Sequence, residues 1–166
     1  MKNSVFFFAF IACLFPVFFS DDNDDSTPVY PSGERYFNEI FSVDVTSNIK
    51  FGENAQPIIA DPNNIQELFL DVYQPDGDKL SARPLIIWAF GGAFVAGSKD
   101  NQDIVTLSSS FAKRGYVCAA IDYRTSKNLI PNGVSLATQY QAILKAIHDV
   151  RASIRFFYKD AATIND

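Results

Sequence analysis

The chain has 166 residues, enough for one modest core. With 48% apolar and 20% charged residues it has neither a disordered nor a fibrous composition. It carries 14 Lys+Arg against 19 Asp+Glu, a net charge of -5. Without the first twenty residues, which hold only Lys2 as a charge, 13 basic against 19 acidic residues give -6. Such a surface repels phosphate backbones, so no nucleic-acid partner is expected.

At the N-terminus, Lys2 precedes an apolar run over 5–19, followed by Ser20 and the acidic stretch Asp21, Asp22, Asn23, Asp24, Asp25. Fifteen apolar residues are short for a bilayer span but suit a secretory signal, so no stable membrane span is expected. Residues 1–20 therefore read as a signal peptide and 21–34 as an acidic, Pro-containing leader. Secretion, or export to a periplasm or extracellular space, follows. Lipid attachment at Cys13, after Ile11 and Ala12, and retention as an uncleaved anchor are the alternatives. Cys118, between Val117 and Ala119, reads as a small core residue. His148 is the only histidine, so no metal-ligand spacing exists, and no cofactor motif is present.

Beyond the leader, residues 36–51 alternate, with Phe41, Val43 and Val45 on one face, as in half-buried antiparallel strands at a sheet edge. Asp61-Pro62-Asn63-Asn64 is a turn. Residues 66–73 form a second strand, with Leu68, Leu70 and Val72 facing one way, closed by Pro75-Asp76-Gly77-Asp78. After Pro84 the pattern becomes continuous: Leu85, Ile86, Ile87, Trp88, Ala89 and Phe90 predict a strand covered on both faces. Asp100 to Asp103 supplies N-cap candidates and an acidic first turn for a helix. Its buried stripe is expected at Ile104, Leu107 and Phe111, with a stop at Lys113-Arg114-Gly115. A second buried strand spans 116–123. After the turn at Pro131-Asn132-Gly133 comes a long helix, its stripe expected at Tyr140, Ile143, Leu144, Ile147, Val150, Ile154 and Phe157. Antiparallel-type strands first, then strand, helix, strand, helix, predict an α/β fold with a parallel centre flanked by helices.

Chemistry concentrates where the first apolar strand runs into Phe90-Gly91-Gly92-Ala93-Phe94. Gly91 and Gly92 leave the backbone uncovered, so consecutive N–H groups at the C-terminal edge of a parallel sheet can converge on one anion. A carbonyl becomes such an anion in the tetrahedral intermediate of acyl transfer, and a donor aimed at it is worth roughly 3 kcal/mol. A Gly-rich turn or a phosphate loop is the other reading, but Ala93-Phe94 lacks the Lys and Ser/Thr a phosphate loop needs.

This stretch resembles the His-Gly-Gly-Gly-Phe loop of the carboxylesterase (type B, esterase-lipase) family of α/β-hydrolases. Glu67-Leu68-Phe69-Leu70-Asp71-Val72-Tyr73-Gln74-Pro75 is similar to the strand before that loop, and Asp122-Tyr123-Arg124 to the strand end after it. The three motifs stand in the family's order over roughly residues 36–160. The resemblance implies an N-terminal half of an α/β-hydrolase fold, a small-molecule ester substrate, and an oxyanion hole at Gly92 and Ala93 within the loop of Phe90 and Gly91. A third donor would come from the residue after the nucleophile. Phe90 stands where the family has a loop-bracing His, and Ala93 where it has a third Gly.

The Gly-x-Ser-x-Gly elbow itself is not in these residues. Gly133-Val134-Ser135-Leu136-Ala137 imitates it, but no buried strand precedes Gly133, and Ser135 reads as the N-cap of the long helix. His148 lies mid-helix beside Asp149 and reads as structural or exposed. Ser98, Ser108, Ser109 and Ser110 have no base near them in sequence. Asp122 and Arg124 are expected to hydrogen-bond and ion-pair at the strand end. Residues 35–166 thus read as a partial α/β-hydrolase domain, truncated before the elbow, with nucleophile, acid and base expected beyond Asp166. A serine carboxylesterase is the leading expectation. A non-catalytic binding or adhesion module of the same fold and a related serine peptidase are the alternatives.

Overall fold

The computed structural model describes residues 34–56, 61–80, 82–126 and 136–164. The signal and leader segments, the turn at Pro131-Asn132-Gly133 and the Ser135 cap lie outside the described residues.

The element order is β1 (Ser42–Ala55), β2 (Ile65–Asp76), β3 (Leu85–Ala89), α1 (Gln102–Ala112), β4 (Val117–Ile121) and α2 (Leu136–Ile164). The sheet order is β1-β2-β4-β3. β1 and β2 pair antiparallel from Ser42 opposite Asp76 to Ala55 opposite Ile65. β2 also runs antiparallel to β4, and β3 parallel to β4. The parallel pair is joined through α1, as a crossover must be.

β1 begins later than its alternation predicts, because Glu34 to Phe37 form a turn. That turn is tied to the end of α1, with the Tyr36 amide donating to Arg114 O and the Ile40 and Phe41 amides to Lys113 O. Val45 is exposed on this edge strand. A one-residue register shift between Thr46 and Ile49 then flips the side-chain alternation. Val43 packs on one face of the sheet, whereas Ile49 and Phe51 join the cluster on the other. Asn48 takes the left-handed conformation that this bulge needs, φ 59°.

Two clusters sandwich the sheet. Cys118 and Ala120 of β4 pack with Tyr73 and with Ile104 and Ala112 of α1. Ile121 packs with Leu68, Leu70 and Val72 and with Val150, Phe156 and Phe157 of α2. Cys118 is a free, fully buried thiol, and burial pushes its pKa up to about 12. It is a core residue, inert at ordinary pH.

Four expectations need correction. β4 is buried as its apolar run predicts, but all five residues of β3 are only half-buried, because β3 lies at the edge of the described sheet. In α1 the buried stripe is Ile104, Ser108 and Ala112, a regular four-residue spacing, and Leu107 is 37% exposed. The N-cap of α1 is Asn101, but its side chain does not cap; Asn101 Oδ1 accepts the Ser98 amide instead. In α2 the buried line is Ala142, Ala146, Asp149 and Ser153, while Tyr140, Leu144, Ile147 and Ile154 are exposed. Small residues let α2 lie close on the sheet, and a buried ion pair at Asp149 fixes its rotation.

Candidate active-site loop

β3 delivers the chain to Phe90 at the C-terminal end of the parallel pair. Phe90 is buried, and its ring stacks on Tyr123 with centroids 4.1 Å apart. The Tyr123 hydroxyl donates to Phe90 O at 2.8 Å. Beyond Phe90 the backbone turns through positive φ at Gly92 (147°), Ala93 (52°) and Phe94 (61°). The Val95 and Ala96 amides both donate to Gly92 O, at 3.0 and 3.4 Å, closing a tight turn. Phe94 O accepts from both the amide and the hydroxyl of Ser126, at 2.8 and 3.1 Å.

Gly92 and Ala93 lie on the surface, and among the described residues their amides meet no hydrogen-bond acceptor. Glycine is required at 92, where a Cβ would sit 1.8 Å from Ala96 O, and at 97, where it would strike the Phe90 ring at 2.3 Å. Left-handed Ala93 and Phe94 each cost on the order of 1 kcal/mol, and strain of this kind persists only where surrounding contacts over-determine it. Chemically, the loop presents two adjacent N–H donors, on exposed residues and without an acceptor among the described residues.

The segment after the loop is anchored by a charged network. Lys99 Nζ contacts Asp71 Oδ2 at 2.9 Å and Asp100 Oδ1 at 3.0 Å. The Lys99 amide donates to Asp122 Oδ1 at 2.8 Å. Burial opposes the Lys99 charge, but the bonds to Asp71 and Asp100 outweigh it and hold the ammonium pKa above its usual value. Burial raises the Asp122 pKa, against the opposing pull of the Lys99 amide and charge. Asp71 also accepts the Asn48 amide at 2.7 Å, so one carboxylate joins the β1 bulge to the loop.

Arg124 and Asp149 form a buried ion pair, Nη2 to Oδ1 2.7 Å and Nε to Oδ2 2.9 Å. The Arg124 amide donates to the same carboxylate, and Nη1 donates to Ala55 O. Arg124 thus ties β4, β1 and α2 together. It has a structural role, as does Asp122. His148 is exposed on α2. Ser98 Oγ accepts the Asp100 amide, and Ser108 is buried inside α1. No serine, acid and histidine are brought together among the described residues, nor is there a cluster of metal-ligating side chains.

Sequence reasoning missed Lys99 and Ser126, and placed Asp71 and Tyr123 in family-like motifs without their partners. An acid at Asp71 between apolar Leu70 and Val72 in a buried strand was the one available signal, since such a carboxylate must find a partner.

A mixed sheet with antiparallel strands first, then a parallel pair joined through a helix and an exposed glycine loop at its C-terminal edge, is that of a partial α/β-hydrolase fold. The BD-FAE family model matches residues 70–165, more than half of the chain. The chain belongs to the BD-FAE family, an esterase-like family of α/β-hydrolases. Among solved structures it is similar to a truncated form of a carbohydrate esterase from gut microbiota, at 21% identity and TM-score 0.48 over 76% of this chain and 36% of that one. It is also similar to brefeldin A esterase, a bacterial homologue of human hormone-sensitive lipase, at 18% identity and TM-score 0.39 over 76% of this chain and 30% of that one. The chain spans about a third of the length of either. No curated protein matches it.

Proposed function

We propose that this chain is the oxyanion-binding part of a secreted serine carboxylic-ester hydrolase. The observation that carries the reading is the pair of exposed, acceptor-free amides at Gly92 and Ala93, held on a strained loop at the C-terminal end of β3. In the reaction a serine attacks the ester carbonyl, and the negative charge that builds on its oxygen is received by these two N–H groups. Each is worth roughly 3 kcal/mol in the transition state. The third donor is the amide after the nucleophile. The described residues supply the donors, and no serine, acid and histidine are brought together among them. The apolar run over 5–19 directs export, with mature protein starting near Asp21.

The test is hydrolysis of p-nitrophenyl acetate by the full-length protein, with an organophosphate as a serine-directed label. Saturable turnover, lost on stoichiometric labelling, is expected. Absence of both turnover and labelling overturns the reading. N-terminal sequencing of secreted material checks export, and an intact Met1 on soluble cytoplasmic protein would refute it.

A further inference from the structure

We propose that Ser126 and Tyr123 are positioning residues for the oxyanion donors, acting through the peptide planes of the loop; the inference rests on the oxyanion reading above. Both lie on the segment leaving the C-terminal end of β4, beside the point where β3 releases the loop. Tyr123 holds one end of the loop at Phe90 O, and Ser126 holds the other at Phe94 O.

The coupling to Ala93 follows from planarity. In a trans peptide the C=O of one residue and the N–H of the next lie in one plane and point in opposite directions. Fixing Phe94 O with two donors from Ser126 therefore fixes the direction of the Val95 N–H. That N–H donates to Gly92 O at 3.0 Å. Gly92 O, committed to the Val95 and Ala96 amides, makes the N–H of exposed Ala93 in the same plane point the opposite way, away from that turn. Two peptide planes, joined by the Val95 to Gly92 hydrogen bond, thus carry the restraint from Ser126 to the Ala93 donor. At the other end, the Tyr123 hydroxyl fixes the Phe90–Gly91 plane, and its ring locks Phe90 against Gly97.

Ser126 and Tyr123 are both almost completely buried and touch no solvent or substrate face, so their effect on catalysis is indirect. A hole distorted by a fraction of an ångström loses transition-state binding while leaving ground-state binding intact, so the effect falls on kcat rather than KM.

The experiment measures p-nitrophenyl acetate kinetics of the full-length protein as wild type, Ser126→Ala, Ser126→Thr and Tyr123→Phe, with melting temperatures. Ser126→Ala and Tyr123→Phe are each expected to lower kcat about tenfold at unchanged KM. Ser126→Thr, which keeps a hydroxyl, should stay near wild type. Backbone amide exchange at Val95, whose N–H is hydrogen-bonded to Gly92 O, followed by NMR, should quicken in Ser126→Ala, a change that a merely structural role elsewhere would not produce. Should Ser126→Ala fail to fold, Tyr123→Phe carries the same test through the other anchor. An active wild type whose anchor variants keep full kcat, or lose only KM, overturns the proposal and leaves the oxyanion reading standing. An inactive wild type overturns both.

Discussion

Lys99 Nζ sits 2.9 Å from Asp71 Oδ2, with both side chains almost entirely out of solvent. Twenty-eight positions apart in sequence, they join the central strand β2 to the segment that follows the glycine loop. A desolvated pair of this kind adds little net stability, but deleting one partner leaves the other charge stranded. Lys99→Met in the full-length protein is therefore expected to cost about 3–5 kcal/mol in urea unfolding at pH 7. A loss below 1 kcal/mol would mean that water reaches Asp71. The folded pKa of Lys99 lies above its unfolded value of 10.5. Its contribution is thus complete below that value and fades only as pH rises through the folded pKa.

Asp122 behaves in the opposite way to a salt-bridged carboxylate. Burial lifts its folded pKa above the unfolded 3.8, so between the two values the folded state binds more protons. Stability from this group is therefore full below 3.8 and declines as pH rises through the folded pKa. Asp122→Asn keeps the Oδ1 acceptor for the Lys99 amide and removes the charge. The variant should equal or exceed wild type in stability at pH 7, and its stability should fall less as pH rises from 3.8 to 7. Urea unfolding across that range is the measurement, and a variant less stable at pH 7 would contradict it.

How far the sequence reveals all this depends on which residues do the packing. The run from Leu85 to Ala89 and the glycines after it are legible because only a sheet strand and an exposed turn suit them. β4 is legible for the same reason. The rotation of α2 is not, because the buried line Ala142, Ala146, Asp149 and Ser153 contains no large apolar residue. Tyr140, Leu144 and Ile147 dominate any hydrophobic count while facing outward. What turns the helix is the Arg124–Asp149 pair, whose members stand 25 positions apart and pair only once the sheet exists. The loop was located from its glycines, but its anchors were not. Neither the Tyr123 hydroxyl nor Ser126 reveals a target until Phe90 O and Phe94 O are placed in space.

Two glycines separate site from scaffold. Gly92→Ala puts a methyl 1.8 Å from Ala96 O at φ 147°, so the turn that aims the Ala93 amide cannot close. Loss of a single oxyanion donor lowers kcat by ~10²–10³, and that is the expected loss in the full-length enzyme. Gly77→Ala meets nothing within 4 Å and bears only the strain of φ 75°, about 1–2 kcal/mol. It should keep kcat while lowering the melting temperature. Equal kcat in the two variants would deny the loop any part in catalysis.

The last prediction concerns residues 21–166 expressed alone: they should not hydrolyse p-nitrophenyl acetate at an enzymatic rate. Oxyanion donors act only on charge that a nucleophile has created, and the described residues assemble no serine with a base. Removing a triad while keeping hole and pocket leaves ~10³–10⁴-fold over water in a complete enzyme. With two donors and no third, less should remain. Rescue would require Ser135, the one serine in an elbow-like setting, to be activated by His148, the only histidine. Ser135 adjoins Leu136, the first residue of α2, and His148 lies twelve residues further along the same helix. At 1.5 Å per residue that is roughly 18 Å, far outside hydrogen-bond reach. His148 is moreover exposed, with Asp149 beside it committed to Arg124 rather than to the imidazole. The assay pairs the chain with Ser135→Ala. Saturable turnover that vanishes in the variant would make Ser135 a nucleophile and overturn its reading as a helix cap.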